Sequence, residues 1–146
     1  MIGLLQRVSE AEVRIDGERV GAIGAGLLVL VGVQPQDSEA SAQRLLDRLL
    51  TYRVFVDEAG RMNRALRDTG GGLLLVPQFT LAADTRSGTR AGFSTAAAPA
   101  HAHALFVHLA ERARAAHGDV ACGRFGADMK VALVNDGPVT FWLESR

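Results

Sequence analysis

The stretch Leu73-Leu-Leu-Val-Pro-Gln-Phe-Thr-Leu-Ala-Ala-Asp84 lies at the centre of the chain, and the fold is organised around it. Four aliphatic residues in a row, preceded by three glycines, predict a buried strand. Pro77 marks the end of this strand, because proline has no N–H group to donate to a sheet ladder. Polar Gln78 and Thr80 follow at once. Taken alone, the stretch favours an ordinary strand end over a functional site.

The segments around this strand predict a sheet with two helices. Apolar runs and alternation predict strands over residues 2–8, 11–15, 20–23, 27–33, 52–56, 130–135 and 139–143. Apolar residues spaced three and four apart predict one helix that begins at Asp37 or Ser38, and another that begins near Pro99 and ends at His117-Gly118. Tight hairpins are predicted at Asp16-Gly17 and at residues 135–138. The order predicts an α+β fold, with barrel-like antiparallel β-sheets and two main helices packed on them.

Length and composition predict a single domain that spans residues 1–146. The chain is 48% hydrophobic, a globular value, and no apolar run is long enough to cross a membrane. The first residues lack the pattern of a signal peptide. The lone cysteine, Cys122, excludes an internal disulfide and is interpreted as a small strand residue rather than a nucleophile. We therefore expect a cytoplasmic protein.

The charge balance limits the kind of nucleic-acid partner. The formal net charge is zero, which argues against a DNA-binding or general phosphate-binding protein. An enzyme that holds only the end of a nucleic acid remains compatible with it. The polar loop at residues 84–92 carries Arg86 and Arg90, which are candidate phosphate contacts.

Familiar cofactor, metal and hydrolase motifs do not account for the chain. Gly24-Ala-Gly26 precedes an apolar strand rather than following one, so a glycine turn is favoured over a dinucleotide loop. Neither a P-loop lysine nor a Gly-x-Ser-x-Gly elbow is present. The four histidines (His101, His103, His108 and His117) lack metal-ligand spacing and are interpreted as solvated or cap residues. We predict no metal and no cofactor.

Two features remain open on the residues alone. Thr80 is the only hydroxyl residue of the central stretch, but a threonine nucleophile needs a base and none lies nearby in sequence. Gly137-Pro138 lies where a tight turn is predicted, and tight turns are where cis X-Pro bonds concentrate. An ordinary trans turn proline is favoured there.

Two short motifs, taken together, carry a resemblance to a known family. They are Pro77-Gln-Phe-Thr-Leu81 and Asn135-Asp-Gly-Pro-Val-Thr140. Both in this order, in a chain of this length, make the sequence similar to the D-aminoacyl-tRNA deacylase family. The resemblance runs over essentially the whole chain and includes residues 5–8, 24–28, 52–55, 62–63 and 123–129.

The resemblance implies a homodimer with its sites at the subunit interface. The dipeptide Gly137-Pro138 would be cis and would project from one subunit into the pocket of the other, where it excludes an L side chain. Arg7 matches the position that braces this dipeptide. The implied reaction is hydrolysis of the ester between a D-amino acid, or glycine, and the 3′-terminal adenosine of tRNA.

The resemblance also assigns roles near the central stretch. Gln78, Phe79 and Thr80 would surround the ester carbonyl with backbone amides and one hydroxyl. Leu81 and Met129 would join Arg7 and the dipeptide in binding the substrate and checking its chirality. The partner is therefore expected to be the 3′ end of an aminoacylated tRNA.

One position departs from the pattern. The family usually has Ser where this chain has Pro77, and a related group of deacylases that removes mischarged L-alanine has Pro there, with Ala in place of Phe79. Phe79 and Arg7 favour the D-specific interpretation. Three alternatives remain: an editing enzyme for mischarged glycine or L-alanine, a non-catalytic tRNA- or protein-binding dimer, and a general small-ester hydrolase.

Overall fold

The computed structural model describes all 146 residues, which form eight β-strands, three α-helices and a short 3₁₀-helix. The strands are β1 (Ile2–Ile15), β2 (Glu18–Ile23), β3 (Gly26–Gly32), β4 (Phe55–Val56), β5 (Met62–Arg64), β6 (Gly72–Pro77), β7 (Val120–Cys122) and β8 (Lys130–Glu144). The helices are α1 (Glu39–Thr51), α2 (Leu66–Thr69), α3 (Pro99–Ala116) and the 3₁₀-helix Phe79–Ala82. No helix is both long and apolar enough to pass through a membrane.

The main sheet has the strand order β2-β1-β3-β6-β7, and β8 also pairs with β1. Its outer strands approach each other, since a Cβ added to Gly21 on β2 would lie 2.9 Å from the carbonyl oxygen of Cys122 on β7. The predicted α+β class, the barrel-like sheet and the two main helices are confirmed.

The sheet is mixed rather than wholly antiparallel. Strand β1 is antiparallel to β2, β3 and β8, as predicted, but β3–β6 and β6–β7 are parallel pairs. Helix α1 lies in the connection from β3 to β6, and α3 in that from β6 to β7. Such helical crossovers return the chain to the same end of the sheet, so the strands that they join run parallel.

Two predicted hairpins have different outcomes. The turn at Asp16-Gly17 is confirmed, and both residues have a positive φ. The hairpin at residues 135–138 is wrong, because β8 continues as one strand along β1, from Lys130 opposite Arg14 to Glu144 opposite Ile2. Residues 136–139 instead form a bulge opposite Arg7, which we call the Gly-Pro bulge. The 14-residue strand β1 also replaces the two strands predicted over residues 2–15.

The core fills both faces of the sheet. Helices α1 and α3 cover one face, where 21 buried residues cluster, Leu45, Leu73 and Leu109 among them. Ser38 begins α1 through reciprocal hydrogen bonds with Ser41, as predicted for an N-cap. Seven buried residues form a second cluster on the other face. Gly26 packs its backbone directly against that of Gly72, which leaves no room for a side chain.

Smaller elements depart from the predictions in detail. The strand predicted over residues 52–56 is limited to Phe55–Val56, and β7 was not predicted as a separate element. His117 is the C-cap of α3, as predicted, and the side chains of His101 and His117 also reach backbone carbonyls. A ring nitrogen of His101 lies 2.8 Å from the carbonyl oxygen of Asp37, and one of His117 lies 2.6 Å from that of Gly71. These bonds hold the two ends of α3 against the rest of the molecule.

Candidate functional site

The central stretch ends in a sharp change of direction that leaves two backbone amides free. Gln78 extends the pairing of β6 by one bond, because its N–H donates to the carbonyl of Val31 at 2.8 Å. The chain then enters the 3₁₀-helix, whose first bonds are donated by Leu81 and Ala83. The N–H groups of Phe79 and Thr80 have no acceptor in the chain. Two adjacent free donors can bind a carbonyl oxygen or an oxyanion.

This geometry alters the role expected for Gln78. Its backbone amide is already used by the sheet, so only Phe79 and Thr80 have amides free for a substrate. The side chain of Gln78 instead donates to the Thr80 hydroxyl, with 2.6 Å between Nε2 and Oγ1. Gln78 therefore acts on the site through Thr80.

The Thr80 hydroxyl lacks the partner that a nucleophile needs. Since Oγ1 accepts from Gln78, its own proton remains available for donation. No carboxylate or histidine is hydrogen-bonded to it, and the residue is exposed. Within this chain, Thr80 is equipped to donate a hydrogen bond rather than to attack a substrate.

A largely apolar cavity of about 430 Å³ lies beside Gln78 and Phe79. Its walls come from the end of β6, the first turn of α3 and the segment before β8. Met129, in the segment before β8, lines the cavity, and its sulfur accepts a hydrogen bond from the N–H of Arg124 at 3.3 Å. Gly123 allows that packing, since an added Cβ would lie 2.8 Å from the Met129 sulfur. The lining residues are Val76, Pro77, Gln78, Phe79, Ala97, Pro99, Ala102, Phe125, Gly126, Ala127, Asp128, Met129 and Val131.

Phe125 gives the cavity an aromatic wall that was not assigned from the sequence. Its ring stacks on His103 of α3, with centroids 4.8 Å apart and planes 9° from parallel. Ala102, on the same helix, lines the cavity and was also missed. The segment 123–129 had been noted as a motif, and that motif was the available signal for Phe125.

A second cavity, of about 450 Å³, lies against Thr80 and Leu81 on the 3₁₀-helix. Trp142 and Arg86 contribute to its lining. Arg86 is already paired with a carboxylate, at 2.7 Å between Nη2 and Asp84 Oδ2. Hydrogen bonds from the side chain and the backbone N–H of Arg86 lower the pKa of Asp84 to about 2. Any phosphate that contacts Arg86 would therefore meet a guanidinium that is already ion-paired with Asp84.

The Gly-Pro bulge is exposed, and Arg7 braces it. The Gly137-Pro138 peptide is cis. The Nε atom of Arg7 donates to the carbonyl of Asp136 at 2.8 Å, and Nη1 donates to the carbonyl of Val54 at 2.7 Å. Gly137 has a φ of 149°, which disfavours any L side chain there.

The structure does not bring the bulge to either of the two cavities. Neither cavity is lined by Arg7, Gly137 or Pro138. Pro77 of β6 is paired with Val31 of β3, and Val31 is paired with Gly3 of β1. Arg7 is four residues farther along β1, roughly 13 Å, and two strand spacings separate β1 from β6, roughly 10 Å. The two sequence motifs are therefore apart within one chain.

Several large apolar side chains are exposed near these features. Phe79 is 57% exposed and packs on Phe93, with ring centroids 5.2 Å apart. Trp142 is 52% exposed and Val134 is 51% exposed, both on β8. By contrast, Cys122 lies in β7 as a small strand residue, and burial raises the pKa of its thiol, which disfavours a nucleophile.

Comparison with known proteins agrees with the fold and the two motifs. The family model described as D-Tyr-tRNA(Tyr) deacylase matches residues 4–144. A protein of Thioalkalivibrio sulfidiphilus named "D-aminoacyl-tRNA deacylase" is 69% identical over 144 residues, which cover 99% of this chain and 97% of that protein.

Two solved structures are also similar. The "c-Myc DNA Unwinding Element Binding Protein" is 34% identical, with a TM-score of 0.95 over 100% of this chain and 99% of that one. A structure described as a "probable eukaryotic D-amino acid tRNA deacylase" is 17% identical, with a TM-score of 0.84 over 98% of both chains, and it supports the fold alone. From the family model and the identity over nearly its whole length, the chain belongs to the D-Tyr-tRNA(Tyr) deacylase family.

Proposed function

We propose that this protein hydrolyses the ester bond of D-aminoacyl-tRNA, and of glycyl-tRNA, and releases the free amino acid and tRNA. The observation that carries the proposal is the pair of unpaired amides at Phe79 and Thr80, placed beside an apolar cavity. Relatives that share about two thirds of the sequence bear the name of this activity. The cytoplasm, where tRNA is charged, is the compartment in which this substrate occurs.

The apolar cavity is suited to the 3′-terminal adenosine of the tRNA. Its volume of about 430 Å³ falls within the usual range for small-molecule sites. Phe125 offers a ring face for base stacking, and Met129 closes another wall. With the base held there, the ester would lie toward Phe79 and Thr80.

The proposed chemistry relies on stabilising the oxyanion. Water attacks the ester carbonyl carbon, and the carbonyl oxygen becomes an oxyanion that accepts hydrogen bonds from the amides of Phe79 and Thr80. The bond to the ribose oxygen then breaks, and that oxygen takes up the proton that the attacking water has lost. The adjacent ribose hydroxyl relays this proton from the water to the leaving oxygen. One such donor is typically worth about 2.7–4 kcal/mol, which is substantial for an ester that is already labile.

We further propose that the protein acts as a homodimer in which the Gly-Pro bulge of one protomer completes the site of the other. The bulge is exposed and braced by Arg7, yet it lies away from the cavities of its own chain. A two-fold dimer would supply the missing half to both sites at once. Leu81 would line the junction between the protomers. The rigid dipeptide would then exclude an L side chain while a D side chain points away.

Pro77 supports a second candidate, an editing enzyme for mischarged L-alanine or glycine. It lines the apolar cavity, so its identity bears directly on the shape of the site. A dimer that binds aminoacyl-tRNA without hydrolysing it is the non-catalytic alternative, since no side chain here is an activated nucleophile.

The decisive experiment compares D-Tyr-tRNA, L-Tyr-tRNA, Gly-tRNA and L-Ala-tRNA as substrates of the purified protein. We expect rapid loss of the D-Tyr and Gly esters and none of L-Tyr above the uncatalysed rate. Rapid release of L-Ala without D-Tyr hydrolysis would support the second candidate. Tight binding of D-Tyr-tRNA with the ester intact would contradict catalysis.

A further inference from the structure

We infer that Asn135 is a positioning residue that holds the Gly-Pro bulge in shape and thereby sets the preference for D- over L-aminoacyl esters. The inference rests on the proposed function for its effect on substrate. Its structural part stands on hydrogen bonds within this chain.

The bulge needs support that the sheet does not supply. Asn135 is paired with Val8, and the next paired residue of β8 is Thr140, opposite Gln6. Residues 136–139 therefore face Arg7 alone and lie outside the regular ladder. Backbone groups released from a ladder need other partners or water.

Asn135 provides those partners from one side chain. Its Oδ1 accepts from the N–H of Val139 at 2.7 Å. Its Nδ2 donates to the carbonyl of Val139 at 3.3 Å and to the hydroxyl of Thr140 at 2.9 Å. Only a side-chain amide offers an acceptor and two donors in this form.

These bonds join the two ends of the bulge. Asn135 is the last paired residue before it and Thr140 is the first after it, so the side chain spans the neck of the loop. The half-buried Val139 packs against the core covered by the helices, which fixes the far side of that neck. Arg7 holds the near side through Asp136. Gly137 and Pro138 lie between these supports.

Arg7 and Asn135 support different ends of the bulge, as their hydrogen bonds show. Arg7 controls where the bulge begins, whereas Asn135 controls where it returns to the sheet. Gly137 and Val139 approach each other closely, since a Cβ added to Gly137 would lie 2.6 Å from a methyl group of Val139. A shift of Val139 therefore acts directly on the position of Gly137. Loss of Asn135 should therefore widen the range of bulge conformations and weaken the exclusion of L side chains.

Asn135→Ala and Asn135→Asp separate the contributions of the side chain. The alanine variant loses all three bonds, and the aspartate variant keeps only the acceptor for the N–H of Val139. Lys130→Gln is the matched control on the same strand, because Lys130 is exposed and its Nζ atom pairs with Asp128, away from the bulge.

The first measurement is the ratio of kcat/KM for D-Tyr-tRNA to that for L-Tyr-tRNA. We expect Asn135→Ala to lower this ratio by about tenfold, the scale of one or two neutral hydrogen bonds. Asn135→Asp should have an intermediate effect, and the control should match the unaltered protein. An unchanged ratio in both Asn135 variants, with only a lower Tm, would make Asn135 merely structural and overturn the inference.

The second measurement does not depend on activity. Hydrogen exchange at the Val139 amide should be about tenfold faster in Asn135→Ala than in the unaltered protein, while amides of the β1–β3 ladder remain protected. Equal protection at Val139 would refute the structural part. If the unaltered protein fails to hydrolyse D-Tyr-tRNA while the Val139 amide exchanges as expected, the proposed function is wrong and the structural role of Asn135 stands.

Discussion

The side-chain amide of Gln78 donates a 2.6 Å hydrogen bond to the hydroxyl of Thr80, two residues along the chain. The bond orients the hydroxyl so that its proton points away from Gln78. It also occupies an oxygen lone pair that a nucleophile would use. The relationship places Thr80 among the hydrogen-bond donors of the site, beside its own backbone amide.

Thr80→Val tests this role, because valine keeps the shape and the backbone amide but lacks the hydroxyl. We expect kcat for D-Tyr-tRNA to fall by about ten- to a hundredfold, the loss of one hydrogen bond to a charged group. Thr80→Ser, which retains the hydroxyl, should stay close to the unaltered protein. A fall on the order of a thousandfold or more would instead indicate a nucleophile.

Phe125→Ala tests the adenosine cavity. Removing the ring should raise KM for D-Tyr-tRNA by about tenfold, since stacking on one aromatic residue is worth ~1–3 kcal/mol, with little change in kcat. His103→Phe keeps a ring stacked behind Phe125 and serves as the control, while His103→Ala should give a smaller rise. If kcat falls and KM does not change, the base lies elsewhere.

Pro138→Ala removes the ring that is proposed to exclude L side chains. The variant should begin to bind or hydrolyse L-Tyr-tRNA, and its rate with D-Tyr-tRNA should change less. Rates with the two enantiomers, measured under the same conditions, give the result. Unchanged chirality would remove the dipeptide from the mechanism.

Gly137→Ala should perturb the same bulge by a different route. At a φ of 149° an alanine is strained, and its Cβ would clash with Val139, so the bulge must shift. We expect a loss of about 1–3 kcal/mol in the free energy of unfolding, together with weaker chiral discrimination. Gly24→Ala is the control, because an added Cβ meets nothing within 4 Å there. Equal stability of the two variants would contradict the strain argument.

Trp142→Ala tests the proposed homodimer. This side chain is 52% exposed and lines the cavity beside Thr80, where a partner's bulge would enter. Truncating a central tryptophan should raise the dimer Kd by about thirtyfold, or ~2 kcal/mol, as measured by analytical ultracentrifugation. Val107→Ala, on an exposed position of α3, should leave the Kd unchanged. A monomeric unaltered protein would refute the dimer itself.

The fold was partly predictable because local patterns decide local structure. The apolar spacing of α1 and α3 identified both main helices, and Asp16-Gly17 identified a hairpin. The prediction failed at residues 135–138, where turn-forming residues suggested a hairpin. The long strand β1 pairs with the chain on both sides of this segment, so the same residues form a bulge. Long-range pairing overrides a local turn signal when it keeps both flanking segments in register.

The sequence by itself determined the family, the buried strand that ends at Pro77, and the two motifs around Thr80 and Pro138, since these depend on residue type and order. Only the tertiary structure decided which groups are free to act. It committed the Gln78 amide to Val31, left those of Phe79 and Thr80 unpaired, and placed Phe125 in the wall of the cavity. It also separated the bulge from the cavities of its own chain. Hydrogen-bond partners and distances arise from the pairing of residues far apart in sequence, and no local pattern encodes them.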